Sequence, residues 1–122
     1  LLPEADIITL HVPLNDSTRH MINAETIAKM KDGVRIVCAA RGGDIDEDAL
    51  LQGLNSGKVA SAALDVFEKE PPFDSPLVKH PKLIATPHIG GETEEAQKRA
   101  SADIVTEVLA ALEGKPLRWQ VA

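Results

Sequence analysis

The sequence predicts an α/β fold built on a parallel sheet with flanking helices. Apolar, strand-like runs alternate along the chain with helical patterns, the mark of βαβ units joined by right-handed crossovers. Those runs are apolar almost throughout rather than at every second residue, as expected when helices cover both faces of a parallel sheet. A chain of 122 residues, 43% hydrophobic and 26% charged, supplies one domain with a core and not two.

The run DIITLHV (6–12) reads as the first strand, apolar on both faces. The stretch NAETIAKMKDG (23–33) is rich in helix formers, with Asn23 as N-cap and Gly33 as terminator. VRIVCAA (34–40) is the second strand. DEDALLQGLNSGK (46–58) carries acids in its first turn, apolar Ala49, Leu50 and Leu54, and Gly57 as its stop, which predicts a helix. VASAALDVF (59–67) is the third strand and KLIATP (82–87) the fourth. A last helix runs from about Glu94 to Glu113, with Ala100, Ile104, Val108 and Leu112 on one stripe and Gly114 and Pro116 ending it. Between the third and fourth strands, residues 68–82 show no helix and contain Pro71, Pro72, Pro76 and Pro81, so a long loop on a fixed, extended path is expected there.

Composition narrows the function. The chain has 13 basic and 19 acidic residues, a net charge of −6, no Tyr, and only Trp119, Phe67 and Phe73 as aromatics. Nucleic-acid binding needs a positive stripe and stacking rings, so a nucleic-acid partner is not expected. No apolar run approaches the ~20 residues of a membrane span, and no signal peptide is visible. The single cysteine, Cys38, lies inside a strand, which fits a reducing cytoplasm and gives a nucleophile no basic neighbour. No pair of histidines or acids has metal-ligand spacing, so no metal is expected.

The chemistry-bearing residues gather where the strands end. The first strand runs out at His11, the second at Arg41, the third at Asp65 with Glu70 soon after, and the fourth at His88. In a parallel sheet those ends share one edge, where open α/β folds bind ligands, so Arg41, Glu70 and His88 are expected to converge on one cleft. Taken singly, Glu70 reads as a solvated acid, Arg41 as a loop arginine and His11 equally as a packed strand end or a site residue, while His20 and His80 read as surface residues. Context adds to Arg41, whose neighbours Gly42 and Gly43 allow close approach of a ligand, and to His88, set in TPHIGG at a strand mouth. A histidine can move a proton between a hydroxyl and a carbonyl, a carboxylate beside it fixes its tautomer, and an arginine grips a substrate carboxylate as a fork. Those parts suit oxidation of a 2-hydroxy acid, given a hydride acceptor opposite.

In that order and spacing, AARGGDIDEDAL, AALDVFEKEPP and TPHIGG resemble the D-isomer-specific 2-hydroxyacid dehydrogenases. The resemblance runs over essentially the whole chain, from ADIITLHVPLNDSTRHMIN to LEGKPL. It implies that Arg41 binds the substrate carboxylate and carbonyl, that Glu70 is the acid paired with the histidine, and that His88 is the general acid/base. It implies NAD as cofactor, with Asp65 on the nicotinamide carboxamide side. Val12–Pro13, the backbone around Ala39, Ala40 and Arg41, and the turn from His88 through Gly90 and Gly91 would line the same cofactor. The implied partner is a small 2-hydroxy or 2-oxo acid, foremost 3-phospho-D-glycerate on the phosphorylated route to serine. A glycerate or hydroxypyruvate type acid is the alternative. A non-catalytic NAD-sensing relative is a third reading, against which the intact Arg–Glu–His set counts. A cytoplasmic enzyme, homo-oligomeric at full length, is expected.

Two departures from the family pattern stand out. Cys38 occupies a position where the family often has asparagine, and Gly91–Glu92 replaces the more usual alanine–serine. Neither touches the triad. The chain also contains no G-x-G-x-x-G and no later acid for an adenosine ribose. Residues 1–122 therefore read as the second half of an NAD-binding Rossmann domain from a larger enzyme, with the Gly-rich half and the substrate domain outside them. Such a piece is expected to be inactive alone.

Overall fold

The computed structural model describes residues 1–120, and the chain divides after His88 into two compact units. The first unit holds a four-stranded, all-parallel sheet in the order β1 (Ile7–Leu10), β2 (Val34–Cys38), β3 (Val59–Leu64), β4 (Leu83–Ala85). Helices α1 (Ala24–Ala28) and α2 (Glu47–Ser56) make the first two crossovers, and the irregular segment from Glu68 to Lys82 makes the third. The expected parallel α/β architecture is therefore present.

Local chemistry accounts for the element ends. Asn23 caps α1 through a box in which its side chain accepts the Thr26 N–H and Thr26 returns the bond to the Asn23 N–H. Helix α2 starts on Asp46, which accepts the Ala49 N–H, and stops at Gly57, whose φ of 83° is a left-handed position that glycine adopts without penalty. Helix α1 ends at Ala28, well short of the expected Gly33, which instead lies in the turn before β2. There Gly33 N–H bonds the Lys58 carbonyl, so the tie to the start of β3 replaces another helical turn.

Ile8 and Leu10 of β1, Val34 and Ile36 of β2, and Val59 and Leu64 of β3 are buried in one cluster with Ile27 of α1 and Leu50 and Leu54 of α2. A Cβ on Gly53 would stand 2.9 Å from a Val59 methyl, so α2 lies as near β3 as its backbone permits. Each fully buried leucine contributes ~1.5–3 kcal/mol relative to exposure. The opposite sheet face is the more exposed one in these 122 residues. Ile7 is 60% and Ile84 69% exposed, and Thr9 and Arg35 are exposed as well. The apolar runs encode two faces, but both helical crossovers of this unit serve one of them.

The second unit contains α3 (Glu94–Leu112), capped by Thr93, which accepts the Ala96 N–H. Its stripe is present, yet no residue of α3 is buried, and Ile104, Val108 and Leu112 are 50–80% exposed. Among the described residues no helix is long and apolar enough to cross a membrane.

Candidate active site

Strand register brings the site together. Leu10 pairs with Cys38, Cys38 with Leu64 and Leu64 with Ala85, so the last residues of all four strands form one row. His11, Ala39, Asp65 and Thr86 emerge side by side from that row. Asp65, only 8% exposed, accepts a short hydrogen bond from the Thr86 hydroxyl, closing β3 against β4. Its own N–H bonds the Cys38 carbonyl.

Glu70 and His88 meet. Nδ1 of His88 stands 2.8 Å from Oε2 of Glu70, and Oε1 of Glu70 accepts the Phe67 N–H at 2.9 Å. The hydrogen bond from His88, and after it that from Phe67, holds the Glu70 carboxyl below the usual glutamate range. A carboxylate only accepts, so the ring proton sits on Nδ1 and Nε2 remains for exchange with a ligand. His88 has a φ of 56°, a left-handed position that a residue with a side chain adopts only under constraint. The loop carrying Glu70 is anchored by Leu77, which is 1% exposed, as well as stiffened by its prolines.

Arg41 opens the turn after β2. Its N–H donates to Oδ2 of Asp44 at 3.1 Å, and one guanidinium N–H returns to the Ala40 carbonyl at 2.7 Å. Gly42 is required there: a Cβ on it would fall 1.9 Å from the Phe67 carbonyl oxygen. Gly43 follows at φ 95°. Contrary to the expected single cleft, Arg41 shares the sheet edge with Glu70 and His88 but not their cavity. With His11, Val12, Pro13, Ala39 and Ala40 it lines a hollow of about 500 Å³ beyond β1 and β2. Asp65, Phe67, Glu70, Thr86 and His88 line one of about 280 Å³ beyond β3 and β4. The guanidinium is drawn toward its own strand end by the Ala40 carbonyl. Gly90 and Gly91 belong to the second unit, in the turn before α3.

Four contributors escape a reading of the sequence. Thr86 partners Asp65, and the backbone of Phe67 orients Glu70. Asp44 is completely buried and organises the Arg41 turn, and among the described residues its Oδ1 has no hydrogen-bond partner. His20, expected as a plain surface residue, is half-buried and paired with Glu68 at 2.9 Å. A polar residue at a strand end was the available signal for Thr86; the others depend on contacts between distant segments. Cys38 is buried, and burial pushes its thiol pKa up, away from nucleophilic use.

A parallel sheet with its polar and charged groups at the C-terminal edge is a Rossmann-like half-domain. Residues 1–90 match the family model described as D-isomer specific 2-hydroxyacid dehydrogenase, NAD binding domain. The chain belongs to that family. It is 56% identical over 117 residues to D-3-phosphoglycerate dehydrogenase of Bacillus subtilis, covering 96% of this chain and 22% of that protein. It is also 56% identical over 111 residues to hydroxypyruvate reductase of Thermotoga maritima, covering 88% of this chain and 36% of the relative. The crystal structure of a D-lactate dehydrogenase from Treponema pallidum superposes with a TM-score of 0.94 at 39% identity, over 100% of this chain and 41% of that one. The chain thus spans between about a fifth and two-fifths of these proteins.

Proposed function

We propose that residues 1–122 form the second half of the NAD-binding domain of an enzyme that oxidises a D-2-hydroxy acid, 3-phospho-D-glycerate to 3-phosphooxypyruvate in the first instance. The Glu70–His88 pair at 2.8 Å, held in place by the Phe67 N–H, carries this reading. In the oxidising direction Nε2 of His88 takes the proton of the substrate hydroxyl, and in the reducing direction it returns that proton to the carbonyl oxygen. Glu70 keeps the ring in the required tautomer and offsets the positive charge that the ring then carries. Arg41 is assigned to the substrate carboxylate: one of its five donors is on Ala40, and the others remain for a fork.

The chain's residues fit the nicotinamide end of NAD. The hollow lined by Val12, Pro13, Ala39 and Ala40 falls within the usual size of a ligand pocket, and it opens at the sheet edge where α/β folds hold nucleotides. Asp65, held against β4 by Thr86, is assigned to the carboxamide side of the nicotinamide. NAD, when bound, supplies the hydride acceptor.

The equal identity to a hydroxypyruvate reductase favours a second reading, glycerate or hydroxypyruvate as the substrate pair. A cytoplasmic homo-oligomer is the proposed form of the full-length protein. Absorbance of NADH, followed with full-length protein and 3-phospho-D-glycerate, D-glycerate or D-lactate in turn, tests the assignment. The highest kcat/KM is expected with 3-phospho-D-glycerate. A higher value with D-glycerate establishes the second reading, and NAD binding without turnover of any acid makes the protein a sensor.

A further inference from the structure

The Arg41 turn and the Glu70 loop come from different parts of the chain, yet the chemistry proposed above requires a fixed separation between them. We propose that His20 is a positioning residue that straps one to the other through Glu68; the inference rests on that catalytic reading. His20 is one of two described non-glycine residues at positive φ, at 49°, and the other is His88. A left-handed backbone under a side chain persists only where its surroundings over-determine it, and such positions cluster at functional sites.

Three bonds hold His20. Its N–H donates to the Gly43 carbonyl at 2.7 Å, two residues beyond Arg41. Its own carbonyl accepts the side-chain amide of Asn23 at 2.9 Å. Its Nε2 reaches Oε1 of Glu68 at 2.9 Å. Glu68 is pinned from the far side, where its N–H donates to Oε1 of Glu47 at 2.7 Å. The next residue back, Phe67, presents its carbonyl to Gly42 and its N–H to Glu70. His20 thus touches the Arg41 turn through its backbone and the Glu70 loop through its ring.

The side chains of His20 and Glu68 are 41% and 43% exposed. A pair that wet adds little to stability. A strained backbone serving so weak a bond is better explained by placement of the loop than by stability of the fold.

The test uses full-length protein and the variant His20→Gly, which relaxes the left-handed backbone, keeps the N–H to Gly43 and removes only the ring. Two readouts are needed: kcat and KM for the acid, and the downfield Nδ1–H resonance of His88 in ¹⁵N-histidine-labelled protein, assigned by its loss in His88→Ala. We expect kcat to fall roughly 10- to 100-fold, with the KM for NAD unchanged and the His88 resonance broadened or shifted. His20→Gln, which restores a donor toward Glu68, recovers both. An unchanged His88 resonance in folded His20→Gly overturns the proposal whatever the rate does, and so, where wild-type protein turns over an acid, does an altered resonance with unaltered kcat. Should wild-type protein oxidise none of the acids while His20→Gly still alters the resonance, the strap stands and the catalytic reading falls.

Discussion

Glu70 faces His88 with one carboxylate oxygen 2.8 Å from Nδ1, while its other oxygen accepts the Phe67 N–H. Both oxygens are engaged, and an amide has only one acceptor. Glu70→Gln must therefore give up the Phe67 bond or present a donor to Nδ1. In the full-length enzyme, kcat is expected to fall by ~10²-fold or more, approaching His88→Ala, for which the loss of a positioned acid/base is worth ~10²–10⁴-fold. Near-normal turnover in His88→Ala would assign the proton to another residue.

The same pair predicts a pH dependence of stability. The Glu70 carboxyl is held below its ordinary pKa, chiefly by the His88 hydrogen bond and then by Phe67. Its contribution is therefore present above the ordinary glutamate pKa and lost as pH falls through the lowered one. Glu70→Gln should narrow the difference in denaturation midpoint between neutral and acidic solution. An identical pH profile in the two proteins would show that the pair does not form in solution.

For Arg41 the expected signature is different. Arg41→Lys keeps the charge but not the planar fork, so KM for the hydroxy acid should rise strongly and kcat should also fall. Steady-state kinetics with the acid as varied substrate decides this. A lysine variant with wild-type KM would remove Arg41 from carboxylate binding.

Gly42 is a packing requirement rather than a flexible joint. A methyl group there would overlap the Phe67 carbonyl at 1.9 Å, and backbone on both sides must move to admit it. Gly42→Ala should cost about 1–3 kcal/mol or more in urea denaturation and should lower kcat, because Arg41 and Glu70 lie on the two segments forced apart. Gly57→Ala provides a contrast: its Cβ meets nothing, so only the left-handed backbone penalty of about 1–2 kcal/mol applies.

Much of this was legible in the sequence because it depends on neighbours along the chain. Asn23 as a cap, Gly57 as a stop, and the alternation of strands with helices follow from local hydrogen bonding and side-chain size. So does the gathering of His11, Arg41, Asp65 and His88 at one edge, since parallel strands admit no other arrangement of their ends. The sequence determined by itself which elements form and which residues stand at the loaded edge. Tertiary structure alone decided that α1 stops at Ala28 and that Arg41 turns toward Ala40 in a separate hollow. It also turned His20 from a surface residue into a link to Glu68, 48 positions away. Contacts between residues so far apart are set by packing and register, which bring together groups that no local pattern along the chain connects.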